Sequence, residues 1–438
     1  MSDIVTERDF NELMYHLGNL VRLDSSPAGG GQASVVRYLA GVLAAEGIPS
    51  ELVPGPGGAL NLVARLSAHR PDHALIVAVP TDAAPADPEG WTHAPFSGAV
   101  EDGRIRGRGT LESKRALAMG LMLPILARRH RVALARDLVL AATADGEGDG
   151  TAGIRTLVRD RPDLLRGAVC VAGPGGHDLH LNGRVLVPIR VASLGFAFLR
   201  IRTRRGAREA VFALADLLQR LESGRLEPRM CDAGIAFLSA INEALPRGRA
   251  IAMRGLRLGG LTSTVVKALD DPELAAMAAD MMHDTVAVTR VAAGDGRQQV
   301  PATAEAILAL RVLPGRPLED AVRQLTRGLG EDVAVDTLAA VPAVEAPADH
   351  PFLAHLLAAV RAARPGAVPV PYAAFAGPEP AAFAGLGIPT FGYAPIALPP
   401  GFDYRQRIRG VDESAPVDGI RAGIDAVADA LLGWCRTA

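Results

Sequence analysis

Lysine is almost missing from this chain of 438 residues, standing only at Lys114 and Lys267. Nearly every basic residue is therefore an arginine, and alanine, glycine and proline are abundant, as GC-rich codons would produce without any chemical selection. Single arginines carry little weight unless their position singles them out. Cysteine is also scarce: Cys170, Cys231 and Cys435 lie far apart with no paired spacing, which excludes a disulfide framework and a cysteine zinc site. Charge of one sign is not in excess, because 46 basic residues face 48 acidic ones for a net charge of −2. That balance argues against a nucleic acid or an anionic membrane as the main partner. No apolar run approaches the ~18 residues of a membrane span. The opening MSDIVTERDF is acidic and polar where a signal peptide would be basic and then apolar. The expectation is a soluble, cytoplasmic protein whose length suits about two or three domains at ~100–200 residues each.

The first ~180 residues alternate helical and strand patterns. Phe10, Leu13, Leu17, Leu20 and Val21 have helical spacing within residues 7–23, and residues 33–47 form a second amphipathic helix. Strands are expected at 60–66, 74–79 and 137–142, with helices at 114–129 and 151–159. Such alternation indicates an α/β sheet covered on both faces, whose ligand crevice lies beyond the carboxyl ends of the strands. Attention therefore falls on residues 80–82 and 143–147. From 188 onward the order becomes strand (188–203), helix (207–222), a less regular stretch (223–283), strands (284–292 and 303–312), helix (317–329) and strand (332–338). This βαββαβ order is the ferredoxin-like signature. After ~350 the α/β pattern resumes with a helix at 351–363, a glycine- and proline-rich stretch, a strand at 388–393 and a helix at 415–433.

Residues 89–114, EGWTHAPFSGAVEDGRIRGRGTLESK, resemble a signature of the di-zinc aminoacylase, acetylornithine deacetylase and succinyl-diaminopimelate desuccinylase metallopeptidases. Trp91, Pro95, Phe96, Gly98, Asp102, Gly103, Gly107, Arg108, Gly109 and Lys114 fall in the family's order. Further similar blocks follow: ATADGEGDGTAG (142–153), VPATAEAILALRVLPG (300–315), LGIPTFGYAP (386–395) and RGVDE (409–413). The resemblance covers nearly the whole chain. It implies a zinc-exopeptidase-like α/β catalytic domain, here 1–187 plus 339–438, interrupted by a ferredoxin-like α+β lid or dimerisation domain, 188–338. A homodimer through the lid is the partner arrangement it implies, with a small molecule as substrate or ligand.

The resemblance also implies a metal centre, and here the sequence departs from the family. In those relatives two zinc ions are held by a histidine in H-x-D, a bridging aspartate in G-R-G-x-x-D, the second glutamate of an E-E pair, an acidic residue before G-G, and a histidine in H-G-x-x-E. The first glutamate of the pair is the general base. Position by position, H-x-D is Pro80-Thr81-Asp82, the bridging aspartate is Glu112, E-E is Gly146-Glu147, the acidic residue is Pro174, and the last histidine is Arg409. Zinc needs about four nitrogen, sulfur or oxygen donors. Proline's side chain has none, and a guanidinium is a permanent cation. Only two of the five positions keep a ligand-capable side chain, so neither a metal nor any other cofactor is expected. His177 and His180 follow the Pro174 slot and are read as solvent-exposed loop residues. The lid segment Arg202-Thr203-Arg204-Arg205-Gly206 lacks the histidine that in the family reaches the substrate carbonyl; Arg204 or Arg205 stands as its replacement or as plain lid surface.

What remains has electrostatic order. Asp82, Glu112, Asp145 and Glu147 map around the former metal centre with Arg409 approaching from the C-terminal side. Crowded carboxylates without metal repel, so at least one should titrate well above its ordinary value, and an arginine relieves part of the repulsion. One reading is a repurposed metal-independent enzyme acting on an amide- or amino-acid-like small molecule in specialised metabolism. Its catalytic residues would be Glu112, Glu147, Asp82 and Arg409, with Asp145, Arg204 and Glu379 facing substrate. The alternatives are a salt-bridge network that replaces the metals structurally, a non-catalytic binding or partner protein, and a conventional zinc hydrolase with replacement ligands. Ser113-Lys114 could suggest a Ser–Lys nucleophile, but adjacent residues usually point apart.

Overall fold

The computed structural model describes residues 4–68, 73–204, 209–223, 229–244, 272–294, 300–327, 329 and 333–436. Along the first part of the chain run α1 (Glu7–Arg22), α2 (Gln32–Ala45), β1 (Ser50–Pro54), β2 (Leu60–Leu66), β3 (Leu75–Pro80), β4 (Val100–Glu101), β5 (Arg104–Arg106), α3 (Ser113–Arg129), β6 (Leu138–Thr143), α4 (Ile154–Asp160), β7 (Val169–Ala172) and β8 (Leu179–Leu181). The middle holds β9 (Arg184–Ser193), β10 (Gly195–Arg204), α5 (Ala210–Ser223), α6 (Asp232–Ala244), α7 (Pro272–Asp280), β11 (Thr285–Ala293), β12 (Thr303–Val312), α8 (Leu318–Thr326) and β13 (Val333–Val341). The chain finishes with β14 (Val344–Glu345), α9 (Pro351–Ala363), β15 (Val368–Ala374), α10 (Glu379–Gly385), β16 (Thr390–Phe391), α11 (Tyr404–Arg407), β17 (Ser414–Pro416) and α12 (Val417–Arg436).

Six strands form the principal sheet in the order β1-β2-β6-β3-β7-β16, with β6, β3, β7 and β16 parallel to one another and the β1–β2 and β2–β6 pairs antiparallel. Its central strands read LIVAVP and LVLAAT because both faces are covered, as parallel strands require. On one face Val77, Val79 and Leu140 meet α1, α3 and α12; on the other Ile76, Val139 and Cys170 meet α4 and α10. Thr6 caps α1 through a reciprocal bond with Asp9, which fixes where that helix starts. The parallel strands all end at one edge, and that edge carries the site.

A second sheet has the antiparallel order β11-β12-β10-β13, the ferredoxin-like arrangement, with α5 and α8 packed on one face through Leu199, Ile201, Leu214, Leu308 and Leu325. The strand expected over 188–203 is in fact two. Its first half, β9, lies outside the lid sheet and pairs in parallel with β15, and the chain turns over to the lid only at Leu194. The turn is tight, since a Cβ at Gly195 would meet the Ala343 nitrogen at 2.5 Å. The run VLVPIRVASLGFAFLRI gives no sign of this division because both halves are buried. β15 itself went unread inside the proline-rich stretch. Pro369 and Pro371 are tolerated because β15 pairs on one side only, leaving their missing N–H groups without cost. The stretch read as irregular contains α6 and α7, whose Phe237, Ile241, Leu274 and Ala278 join the main core with β15 rather than the lid core. The strand read at 388–393 shrinks to Thr390–Phe391.

Candidate functional site

β3 and β6 end side by side, and the two ends are tied together by Thr81, whose N–H donates to the Thr143 carbonyl at 2.8 Å and whose hydroxyl donates to it at 3.0 Å. The next residue, Asp82, is buried. Its Oδ1 accepts from the Gly146 N–H at 3.0 Å and its Oδ2 from the Glu147 N–H at 2.9 Å. Both oxygens thus hold the loop after β6, and Asp82 is not among the residues that line the cavity described below. Asp145 lies in the left-handed region at φ 59° and turns its carboxylate into its own loop, accepting from the Ala152 N–H at 3.2 Å. It is not among the residues that line the cavity, where a role against substrate was expected.

The loop so held presents Glu147. Opposite it, Glu112 stands at the start of α3. Arg409 joins the two: its Nε donates to Glu112 Oε2 at 3.2 Å and its Nη2 to Glu147 Oε1 at 2.9 Å. Arg409 adopts a left-handed backbone, φ 59°, held by its N–H donating to Glu413 Oε2 at 3.2 Å. Glu413 is buried and accepts also from Arg108 Nη1 at 2.8 Å and from the N–H groups of Gly109 and Leu111 at 3.1 and 2.9 Å. One carboxylate therefore clamps the Arg108-Gly109 turn to the Arg409 loop. Glu413 closes the RGVDE block, and its place in that block was the signal for an anchoring role that sequence reasoning did not use.

Burial drives the Glu147 carboxyl up to about 7, with Arg409 opposing and the nearby charges of Glu112 and Asp82 adding to the rise. Glu379, at the first turn of α10, is fully buried and accepts from the Thr143 hydroxyl at 3.0 Å. Burial pushes it as well to about 7. Of the four carboxylates expected to crowd, Glu147 does titrate high, but burial rather than mutual repulsion is the main cause. Arg409 is partly open to solvent, so its ion pairs are screened and each is worth little as stabilisation.

Glu112, Glu147, Glu379 and Arg409 all line one cavity with about 920 Å³ of empty space, its open mouth included. Arg204 does not: it lies exposed at the end of β10, away from that lining, and Arg205 lies outside the described residues. His177 is a correction. Far from being exposed, it is buried and stacked on Tyr404 with ring centres 4.1 Å apart, and burial together with the Arg115 charge pushes it down to about 3. His180 is half-buried and bonded to the Leu398 carbonyl at 2.8 Å. Ser113 faces the cavity, whereas Lys114 turns away to the Ser25 hydroxyl, so the two form no dyad. Among the described residues no group of three His, Cys, Asp or Glu side chains is placed to hold a metal ion, and no helix is long and apolar enough to cross a membrane.

A mostly parallel α/β sheet interrupted by a ferredoxin-like insert, with its site at the carboxyl ends of the strands, is the zinc-exopeptidase type of architecture. The family model for peptidase family M20/M25/M40 matches residues 76–433, and the chain belongs to that family. It is 37% identical over 147 residues to a succinyl-diaminopimelate desuccinylase of Methylobacterium sp. (strain 4-46), covering 32% of this chain and 36% of that protein. It is 34% identical over 144 residues to the desuccinylase of Gluconobacter oxydans, again over 32% of this chain and 36% of the relative. The matched part thus spans about a third of the length of these curated relatives. Over the whole chain the fold is similar to an M20 family metallo-carboxypeptidase from Sulfolobus solfataricus, with TM-score 0.74 and 17% identity, covering 96% of this chain and 98% of that one. Human carnosine dipeptidase 1 is similar at TM-score 0.71 and 14% identity over 98% of both chains.

Proposed function

We propose that this protein is a metal-independent member of its family that moves protons on an amide- or amino-acid-like small molecule in specialised metabolism. The observation that carries the reading is Arg409: a permanent cation is bonded to both Glu112 and Glu147, where the resemblance would place divalent ions. The residues present do not fit a pair of zinc ions. Pro80, Gly146 and Pro174 supply no side-chain donor, and each oxygen of Asp82 already accepts from a main-chain N–H group. The hydrolytic route through a metal-bound water is therefore not assigned to this chain.

In this reading Glu147 carries the proton. A carboxyl poised near neutrality is populated in both forms at the working pH, which general acid–base catalysis needs. Arg409 offers its remaining N–H groups to a substrate carboxylate or a developing oxyanion. Glu379, deeper in the cavity and also poised near neutrality, serves as a neutral donor to a substrate carbonyl. The three cysteines, all buried free thiols, fit a reducing cytoplasm. The open edge of β11, with Val288 and Val291 exposed, is where we place a homodimer contact through the lid.

The test is turnover of a panel of N-acyl amino acids and dipeptides, followed by mass spectrometry with and without a strong chelator. The reading predicts conversion that the chelator leaves unchanged and that Glu147→Gln abolishes. Conversion lost on chelation would overturn metal independence. Binding without conversion would instead favour a non-catalytic binding protein, the reading supported by Gly146 in the general-base slot.

A further inference from the structure

Behind the polar mouth the cavity changes character. It runs down into the main core between the sheet and two helices, where Val77 and Val79 of β3, Val171 of β7, Leu123 of α3, and Val427 and Leu431 of α12 form its walls. All six side chains are buried. From Pro80 to Val77 the lining follows β3 inward by roughly 10 Å at the usual rise per residue. On α3 the lining residues Glu112, Ala116, Met119, Gly120 and Leu123 share one helical stripe, so the same wall begins with a carboxylate and ends in hydrocarbon.

Protein interiors are close-packed, and an apolar hollow too poor in polar groups to hold water leaves its lining without contacts. The hollow here is continuous with the mouth, and Ala116 on α3 presents only a methyl group to it. A larger side chain at Ala116 would narrow it. The division between charged entrance and hydrocarbon interior matches one kind of molecule. We infer that mouth and hollow form a single binding site for a ligand with an amide or carboxylate head and an unbranched apolar tail, the head at Arg409 and Glu147 and the tail between β3, α3 and α12. This rests on the reading that the mouth takes the polar head of a small molecule, and it names the class to which that molecule belongs.

The test is calorimetric titration of the whole chain with straight-chain N-acylglycines from acetyl to decanoyl, which requires binding but no turnover. Burial of each methylene predicts an affinity gain of about fourfold, rising until the hollow is filled and then levelling. Ala116→Leu and Val427→Phe narrow the hollow from opposite helices, and each should bring the levelling to a shorter chain. Two variants are specified so that the loss of one to misfolding leaves the other, and their melting curves show which reports. Measurable binding with no dependence on chain length would overturn the tail compartment and leave the mouth's reading standing. A rise that neither folded variant shortens would also overturn it, and absence of binding at every length would overturn both.

Discussion

Pro80 and Gly146 exclude one another's side chains: a Cβ at Gly146 would stand 2.4 Å from the Pro80 Cβ and 3.2 Å from Asp82 Oδ1. The resemblance would place a metal-binding histidine at the first of these positions and a general base at the second. The ends of β3 and β6 lie at a separation that only glycine permits at 146. Gly146→Ala should therefore destabilise the fold by about 1–3 kcal/mol through overpacking. In the double variant with Pro80→Gly the cost should be smaller than the sum of the single effects, as read from urea unfolding. Gly146→Glu should restore no hydrolysis of succinylated or acylated amino acids, since the new side chain has no room beside Pro80.

Asp82 holds two main-chain N–H groups that have no other partner, so its value is structural first. Asp82→Ala leaves both unbonded and should cost about 2–4 kcal/mol in unfolding free energy. The loop carrying Glu147 would be released with it. Amide hydrogen exchange at Gly146 and Glu147 should accelerate in the variant, while exchange in the lid strands stays as in the parent.

The buried carboxyl of Glu379 makes the fold dislike alkali. Its value is raised from 4.5 to about 7, so the folded chain binds more protons than the unfolded chain between those limits. The neutral form's stability is fully present below pH 4.5 and is lost as pH rises through 7. Glu379→Gln keeps an acceptor for the Thr143 hydroxyl and removes the titration. The variant should match the parent near pH 4.5 and exceed it above pH 7.5 by on the order of 2–3 kcal/mol. Equal pH profiles for the two proteins would show that Glu379 is charged in the fold.

His177 acts with the opposite sign. Held neutral down to about pH 3 against an ordinary 6.5, it lets the unfolded chain take up the extra proton as pH falls. Its contribution is present above pH 6.5 and lost progressively between 6.5 and 3. His177→Phe preserves a ring against Tyr404 and should be no less stable at pH 7. In acid it should unfold at a lower pH than the parent, followed by circular dichroism.

The sequence allowed the architecture to be read because period and order are local properties. The apolar runs at 74–79 and 137–142 announce buried parallel strands, and βαββαβ announces the insert. It also pointed to the strand ends where Asp82 and Glu147 lie, and to Arg409 as their counter-charge. What it could not supply was direction. Asp82, Asp145 and Glu147 are three carboxylates in one neighbourhood, yet two spend their oxygens on main-chain N–H groups and only Glu147 meets the cavity. Arg204 follows the pattern but sits at the exposed end of β10. His177 looked like a loop residue because the glycines before it resemble a turn, whereas it is stacked under Tyr404, which enters from more than 200 residues away.

The account depends on a guanidinium serving where divalent ions would otherwise neutralise Glu112 and Glu147. Metal analysis by plasma mass spectrometry, on protein purified without chelator and again after equilibration with excess zinc and desalting, tests this most directly. Fewer than one zinc per chain is predicted in both samples. Two zinc ions per chain, retained after desalting, would contradict it.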